Sequence, residues 1–106
     1  MSIFKNNEDI DENVSLKDDI EIIKPKLYKV ILHNDDYTSM DFVVMIITEV
    51  FAKSASEATK IMYDVHNKGK GIVGVYTYDI ALTKIEKVTA IAKEYEFPLK
   101  CSAEPE

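Results

Sequence analysis

Residues 28–42 read YKVILHNDDYTSMDF, and this stretch decides the fold of the chain. Tyr28 to His33 alternates Tyr, Val and Leu with Lys, Ile and His, a period of two that predicts a β-strand. The small polar residues after His33 predict a turn, because Asn and Asp hydrogen-bond to their own backbone. Thr38 is the expected N-cap of a helix, with Asp41 as its capping-box partner. The stretch therefore predicts a strand, a polar turn and a capped helix in direct succession.

The remaining chain continues this pattern with two more helices and two more strands. The first helix is predicted to run to about Lys53. The second is predicted from a cap at Ser54 or Ser56 through about Lys68, with Gly69 ending it. A strand from Gly71 to Tyr78, a third helix from Asp79 to Glu96 stopped by Pro98, and a short strand from Leu99 to Ala103 are predicted to follow. The sequence therefore predicts an α+β domain of order β-α-α-β-α-β, in which a small three-stranded antiparallel sheet packs against three helices.

Composition predicts one folded domain behind an acidic tail. The chain has 106 residues and a net charge of −6, enough for a single small core. Residues 1–24 hold seven acids against three lysines and show no apolar period, so they are expected to form a flexible N-terminal extension, with the domain at residues 25–106. The acidic balance argues against nucleic acid as a partner, because such proteins neutralise phosphates with a basic stripe.

The location of the protein is predicted from three absences in the sequence. We find no stretch with the basic start and apolar core of a secretory signal, and none long enough to cross a membrane. Cys101 is the single cysteine, so an intrachain disulfide is impossible. A reducing, cytoplasmic setting is the natural interpretation.

Two segments combine hydrogen-bond acceptors with apolar side chains. Asn34, Asp35 and Asp36 follow the first strand, and on the second helix Met62 and Val65 share a face with His66. Acceptors beside an apolar hollow suit a ligand with a cationic end and an apolar end. Sequence chemistry alone also allows a plain turn at residues 34–36, a packing histidine at residue 66 and core methionines at residues 40 and 62.

The segments YKVILHNDDYTSMDF, IMYDVHNKGKGIVGVYT and FPLKC together resemble the ClpS adaptor family, over roughly Lys24 to Cys101. The resemblance implies an adaptor without catalytic activity or cofactor. Such an adaptor binds N-end-rule substrates by a first residue that is Leu, Phe, Tyr or Trp, and delivers them to a ClpA- or ClpC-type unfoldase of the Clp protease.

The resemblance also implies a role for individual residues of this chain. The substrate α-amine is expected to meet Asn34, Asp35, Asp36 and His66. The substrate side-chain pocket is expected to comprise Leu32, Thr38, Met40, Val43, Met62, Val65 and Leu99. The docking surface for the N-terminal domain of the unfoldase is expected to include Lys84 and Asp79, where family members often have glutamate. Ser39 stands where proline is usual, so a slightly looser pocket rim is expected.

Three other classes of protein fit parts of the pattern. A hydrolase would need a nucleophile beside a base, and neither Cys101 nor a serine lies in such a signature near the histidines. A metal site from His33, Asp35, Asp36 and His66 lacks regular ligand spacing. The predicted order of elements also resembles the C-terminal domain of the ribosomal stalk protein, which would be a non-catalytic structural or interaction domain.

Overall fold

The computed structural model describes residues 23–106, which form three strands and three helices. The elements are β1 (Leu27–His33), α1 (Met40–Phe51), α2 (Ala55–Lys68), β2 (Lys70–Thr77), α3 (Tyr78–Glu94) and β3 (Lys100–Pro105). The predicted α+β class and the order β-α-α-β-α-β are confirmed. Of the predicted acidic extension, residues 1–22 lie outside the described residues.

The sheet has the order β2-β1-β3 and is antiparallel throughout, so β1 is the central strand. At the end of β1, His33 pairs with Lys70 on one side and with Lys100 on the other. Lys70 is also the first residue after the connection from α2. The sheet register therefore places the turn that leaves β1 beside the C-terminal end of α2.

The core lies between the sheet and the helices. The helical spacing of apolar residues predicts an inward face of α1, and all five residues of that face are buried: Phe42, Val43, Ile46, Ile47 and Val50. They cluster with Val30 and Leu32 of β1, which have no exposed surface. On α2 the same spacing predicts four inward residues. Ala58, Met62 and Val65 are buried, whereas Ile61 is only partly buried. The period of apolar residues thus identified the buried faces of both helices.

The N-cap of α1 is Ser39, and the prediction of Thr38 in that position is wrong. The Ser39 hydroxyl accepts from the backbone N–H of Phe42 at 3.1 Å. The Thr38 hydroxyl instead donates to the Asp35 carboxylate at 2.7 Å, which removes it from the cap. A serine at this position supplies a cap hydrogen bond that proline could not make.

Other element ends differ from the prediction by one or two residues, and the backbone explains two of these differences. Helix α1 stops at Phe51 because Ala52 adopts a left-handed conformation with φ of 55°. Helix α3 ends at Glu94, ahead of Pro98, and Glu96 is left-handed at φ of 63°. No helix within residues 23–106 has the length and apolar character required to cross a membrane.

The end of α2 is the position at which glycine is required. Gly69 has φ of 90°, and its N–H donates to the Val65 carbonyl, closing the helix as predicted. The Gly69 carbonyl then accepts from the backbone N–H of Asn34 at 2.9 Å. This hydrogen bond ties the turn after β1 to the helix that carries His66. At the other end of α2, Ser54 is the N-cap and accepts from the Glu57 N–H.

Candidate functional site

A cavity of about 230 Å³ lies between the turn after β1, the start of α1 and the second half of α2. It is lined by nine residues: Asn34, Asp35, Asp36, Thr38, Met40, Val43, Met62, Val65 and His66. All nine belong to the eleven predicted for amine and side-chain binding. Leu32 and Leu99 do not line this cavity, and both belong to the buried core, with 0% and 6% of their surface exposed. The binding roles of all eleven stay predictions.

The cavity has a polar rim and an apolar floor. Asn34, Asp36 and His66 are exposed at the rim, while Val43, Met62 and Val65 are buried below them. This division follows from the local structure, because the polar turn leaves the sheet at the surface whereas the apolar residues lie on the inward faces of two helices. A ligand entering the cavity therefore meets polar groups first and apolar groups deeper in.

The rim side chains are free of hydrogen bonds to the rest of the described chain. Within residues 23–106, no side-chain hydrogen bond engages Asn34, Asp36 or His66. Nor does any Lys or Arg of the described chain line the cavity. An amide oxygen, a carboxylate and an imidazole nitrogen are all able to accept hydrogen bonds. The rim can thus receive a small cationic donor without displacing a hydrogen-bond partner within residues 23–106.

Asp35 is engaged within the protein, unlike the residues on either side of it. Its carboxylate accepts from the backbone N–H groups of Tyr37 and Thr38 and from the Thr38 hydroxyl, at 2.7 to 2.8 Å. Partial burial works against ionisation of this carboxyl, but the hydrogen bonds from Thr38 and Tyr37 outweigh it and lower the pKa of Asp35. The residue therefore stabilises the turn as an anion.

The two residues predicted to dock the unfoldase lie away from the cavity, in the first turns of α3. Asp79 is exposed. Lys84 is half-buried, and its ammonium donates to the Val50 carbonyl at 2.9 Å and lies over the rings of Phe51 and Tyr76 at 5.7 and 5.3 Å. Sequence reasoning missed this contact, because Val50 and Lys84 are 34 residues apart in the chain. Lys84 thus has a packing role whether or not it also docks a partner.

Groups that other chemistries would require are placed elsewhere. The Cys101 thiol is buried, and burial raises its pKa to about 12, which makes it a poor nucleophile. The His33 ring nitrogen Nε2 is 2.7 Å from the Ser102 hydroxyl, and His33 does not line the cavity. In the part of the chain described, residues 23–106, no three His, Cys, Asp or Glu side chains are grouped to hold a metal ion.

A second hollow, of about 330 Å³, lies on the outer side of the sheet. Its walls combine three lysines with two acids around Ile31 and Ile72: Lys29, Lys68, Lys70, Asp64 and Glu104. Lys68 and Asp64 form an exposed ion pair at 3.6 Å. The charges of this hollow are thus mixed, and none of the predicted binding residues lines it.

Comparison with known proteins gives concordant matches over most of the chain. Residues 23–102 match the family described as "ATP-dependent Clp protease adaptor protein ClpS". The ClpS adapter of Acetivibrio thermocellus is 60% identical over 93 residues, covering 88% of this chain and 94% of that protein. That of Clostridium acetobutylicum is 57% identical over 90 residues, covering 85% and 87%. The solved structure of Agrobacterium tumefaciens ClpS2 bound to L-phenylalaninamide superposes with a TM-score of 0.76 at 43% identity, covering 78% of this chain and 100% of that one.

Proposed function

The chain belongs to the ClpS family of adaptor proteins of the ATP-dependent Clp protease, and from this premise we propose that its cavity binds the first residue of substrates for degradation. The substrates would begin with Leu, Phe, Tyr or Trp, and the adaptor would deliver them to the Clp unfoldase. The observation that carries the proposal is a single cavity with hydrogen-bond acceptors at its rim and an apolar floor.

The rim fits a free α-amine. An α-amino group has a pKa of about 7.7 to 8.0, so near neutral pH much of it is an ammonium with three N–H donors. Asn34 offers its side-chain oxygen, His66 a ring nitrogen and Asp36 a carboxylate, and all three are exposed at the mouth of the cavity. Three donors can thus be matched by acceptors of three different side chains.

The floor fits one apolar side chain. Val43, Met62 and Val65 form its buried part, and Met40 lies at the edge with 42% of its surface exposed. Methionine is flexible and polarisable, so it adapts to both aliphatic and aromatic ligands. The compound bound by the Agrobacterium tumefaciens protein, L-phenylalaninamide, carries a free α-amine next to an apolar side chain. That likeness supports the same ligand class here.

Fluorescence anisotropy with a Leu-starting peptide and its N-acetylated form tests the proposal directly. Acetylation removes the charge and two of the three donors while leaving the side chain unchanged. Unpaired acceptors and the lost charged hydrogen bonds are worth about 1.5 to 3 kcal/mol, so the acetylated peptide should bind at least about tenfold more weakly. Equal binding of the two peptides would exclude amine recognition.

For delivery, we propose that a surface including Asp79 and Lys84 docks on the N-terminal domain of a ClpA- or ClpC-type unfoldase in the cytoplasm, with no catalytic step by the adaptor itself. Asp79→Lys is the clearer test, because Asp79 is exposed, whereas a change at Lys84 also removes its hydrogen bond to Val50. Asp79→Lys should weaken unfoldase binding and leave peptide binding unchanged. Unfoldase binding at full strength would remove Asp79 from the surface.

We further propose that the acidic extension, residues 1–24, acts in delivery and not in peptide capture. The extension shows no apolar period that would place it in the core, and residues 23 and 24, the part of it that the structure describes, do not line the cavity. A protein lacking residues 1–24 should bind the Leu-starting peptide normally but fail to promote its degradation by the unfoldase and protease. Delivery at the full rate by the truncated protein would overturn this division of roles.

A further inference from the structure

Asp35 differs from both of its neighbours in the turn between β1 and α1. Asn34 and Asp36 are exposed, whereas Asp35 is half-buried. Asp35 Oδ1 accepts from the N–H groups of Tyr37 and Thr38 at 2.8 and 2.7 Å, and Oδ2 accepts from the Thr38 hydroxyl at 2.7 Å. An ionised carboxylate offers about four lone-pair positions, so three of them are already engaged inside the turn.

We propose that Asp35 is a positioning residue: it acts on substrate binding through Thr38 and the turn, and the substrate ammonium is held by Asn34, Asp36 and His66 instead. The inference rests on the proposed function of the cavity. It separates three consecutive polar residues into two that face the ligand and one that holds them in place.

The geometry explains how Asp35 would control both parts of the cavity. By accepting from two successive backbone N–H groups it closes an Asx turn, which sets the direction in which Asn34 and Asp36 project. By holding Thr38 it also determines where α1 begins, because Ser39 caps the helix and Met40 is its first residue. Loss of the Asp35 carboxylate should therefore disturb both the polar rim of the cavity and the position of Met40 at the edge of its apolar floor.

The decisive comparison is between Asp35→Asn and Asp35→Ala. An asparagine amide oxygen can accept from both backbone N–H groups, and its NH₂ can donate to the Thr38 hydroxyl, so the turn is kept while the charge is lost. Asp35→Asn should rescue binding of the Leu-starting peptide to within about threefold of the wild type, whereas Asp35→Ala should lose at least about tenfold. If the two variants lose affinity equally, Asp35 contacts the ammonium and the proposal is wrong.

Asp36→Asn is the matched control, because it removes one charge from the neighbouring exposed position. It should weaken binding of the free amine more than Asp35→Asn does and leave the preference for Leu over Val as a first residue unchanged. Asp35→Ala should alter that preference as well, since the start of α1 moves with the turn. If Asp35→Ala keeps the wild-type ratio of affinities for Leu- and Val-starting peptides, Asp35 does not position Met40.

A second pair of variants keeps the test valid if Asp35→Ala does not fold. Thr38→Val deletes the hydroxyl that donates to Asp35 and keeps the shape of the side chain, and Thr38→Ser keeps the hydroxyl. Thr38→Val should weaken peptide binding by about threefold or more relative to Thr38→Ser, and equal binding would overturn the inference. A separate outcome would disprove the proposed function itself: equal binding of the Leu-starting peptide and its N-acetylated form to the wild-type protein.

Discussion

The two ends of helix α1 use their polar surroundings in opposite ways. At its N-terminal end, Met40 is 42% exposed and the side chains of Asn34 and His66 form no hydrogen bond within the described chain. At its C-terminal end, Phe51 is 4% exposed and the Val50 carbonyl accepts from Lys84. Polar side chains near the N-terminal end are thus available to a ligand, whereas the polar groups at the C-terminal end are hydrogen-bonded within the protein. Substitutions at the two ends should therefore separate binding from stability.

Phe51→Ala should have the largest effect and should act on stability. Removing a buried phenylalanine leaves a cavity and costs about 3 to 5 kcal/mol of unfolding free energy. The substitution also removes the aromatic pair with Tyr76, whose ring centroid lies 6.4 Å from that of Phe51. Urea unfolding followed by circular dichroism measures this loss. Met40→Ala at the exposed end is the matched control and should cost far less. If both variants lose the same unfolding free energy, the two ends of α1 do not differ in their contribution to stability.

Asn34→Ala and His66→Ala should have the next largest effect and should act on binding. Each leaves an ammonium donor of the substrate without its acceptor, which costs about 1.5 to 3 kcal/mol of binding free energy. Fluorescence anisotropy with a Leu-starting peptide measures the change. Asn67→Ala, next to His66 but outside the cavity lining, should bind normally. A His66→Ala variant with wild-type affinity would leave His66 without a role in the rim.

Met40→Ala should change specificity more than affinity. Met40 lies at the start of α1 next to the acceptors, so it should crowd first residues that branch at the β-carbon. Its removal should shift the Leu-to-Val preference by about 1 to 3 kcal/mol toward Val. Met45→Ala on the same helix, outside the cavity lining, serves as the control. If both variants keep the wild-type ratio of affinities for Leu- and Val-starting peptides, Met40 does not crowd branched first residues.

Lys84→Met should produce a smaller loss, again of stability. The methionine keeps most of the side-chain stem and removes the ammonium, which donates to the Val50 carbonyl and lies over the rings of Phe51 and Tyr76. We expect about 1 kcal/mol less unfolding free energy. Lys87→Met, at an exposed position of the same helix, should change stability little. A stability equal to the wild type in Lys84→Met would contradict a stabilising role of these contacts.

The smallest effect concerns the dependence of stability on pH and involves His33. Burial, followed by the charges of Lys100 and Lys70, lowers the pKa of His33 below its ordinary value. The unfolded chain therefore binds this proton more readily, so the stability contribution is complete above about pH 6.5 and is lost as pH falls through the lower folded-state value. Unfolding free energy, measured by urea unfolding at several pH values, should decline modestly on acidification, and His33→Gln should reduce that decline.

The order of elements and the buried helix faces could be predicted because they depend on neighbouring residues. The alternation in Tyr28 to His33 and the helical spacing of Phe42, Ile46 and Val50 each identify an element within a few residues. Gly69 ends its helix through its own backbone freedom. The residues around the cavity were identified through their resemblance to a family, since acceptors in a turn are by themselves equally consistent with a turn alone.

Only the tertiary structure decided which residues lie together at the cavity and which are engaged in contacts within the protein. The sheet register brings Asn34 to Gly69 and thus to His66, and the packing of α3 brings Lys84 to Val50. The sequence placed the first cap at Thr38, because it could not show that the Asp35 carboxylate takes up the Thr38 hydroxyl and leaves the cap to Ser39. Local patterns follow from the few residues within one turn, whereas the cavity depends on contacts between segments about thirty residues apart in the chain, which exist only once the sheet and helices have packed.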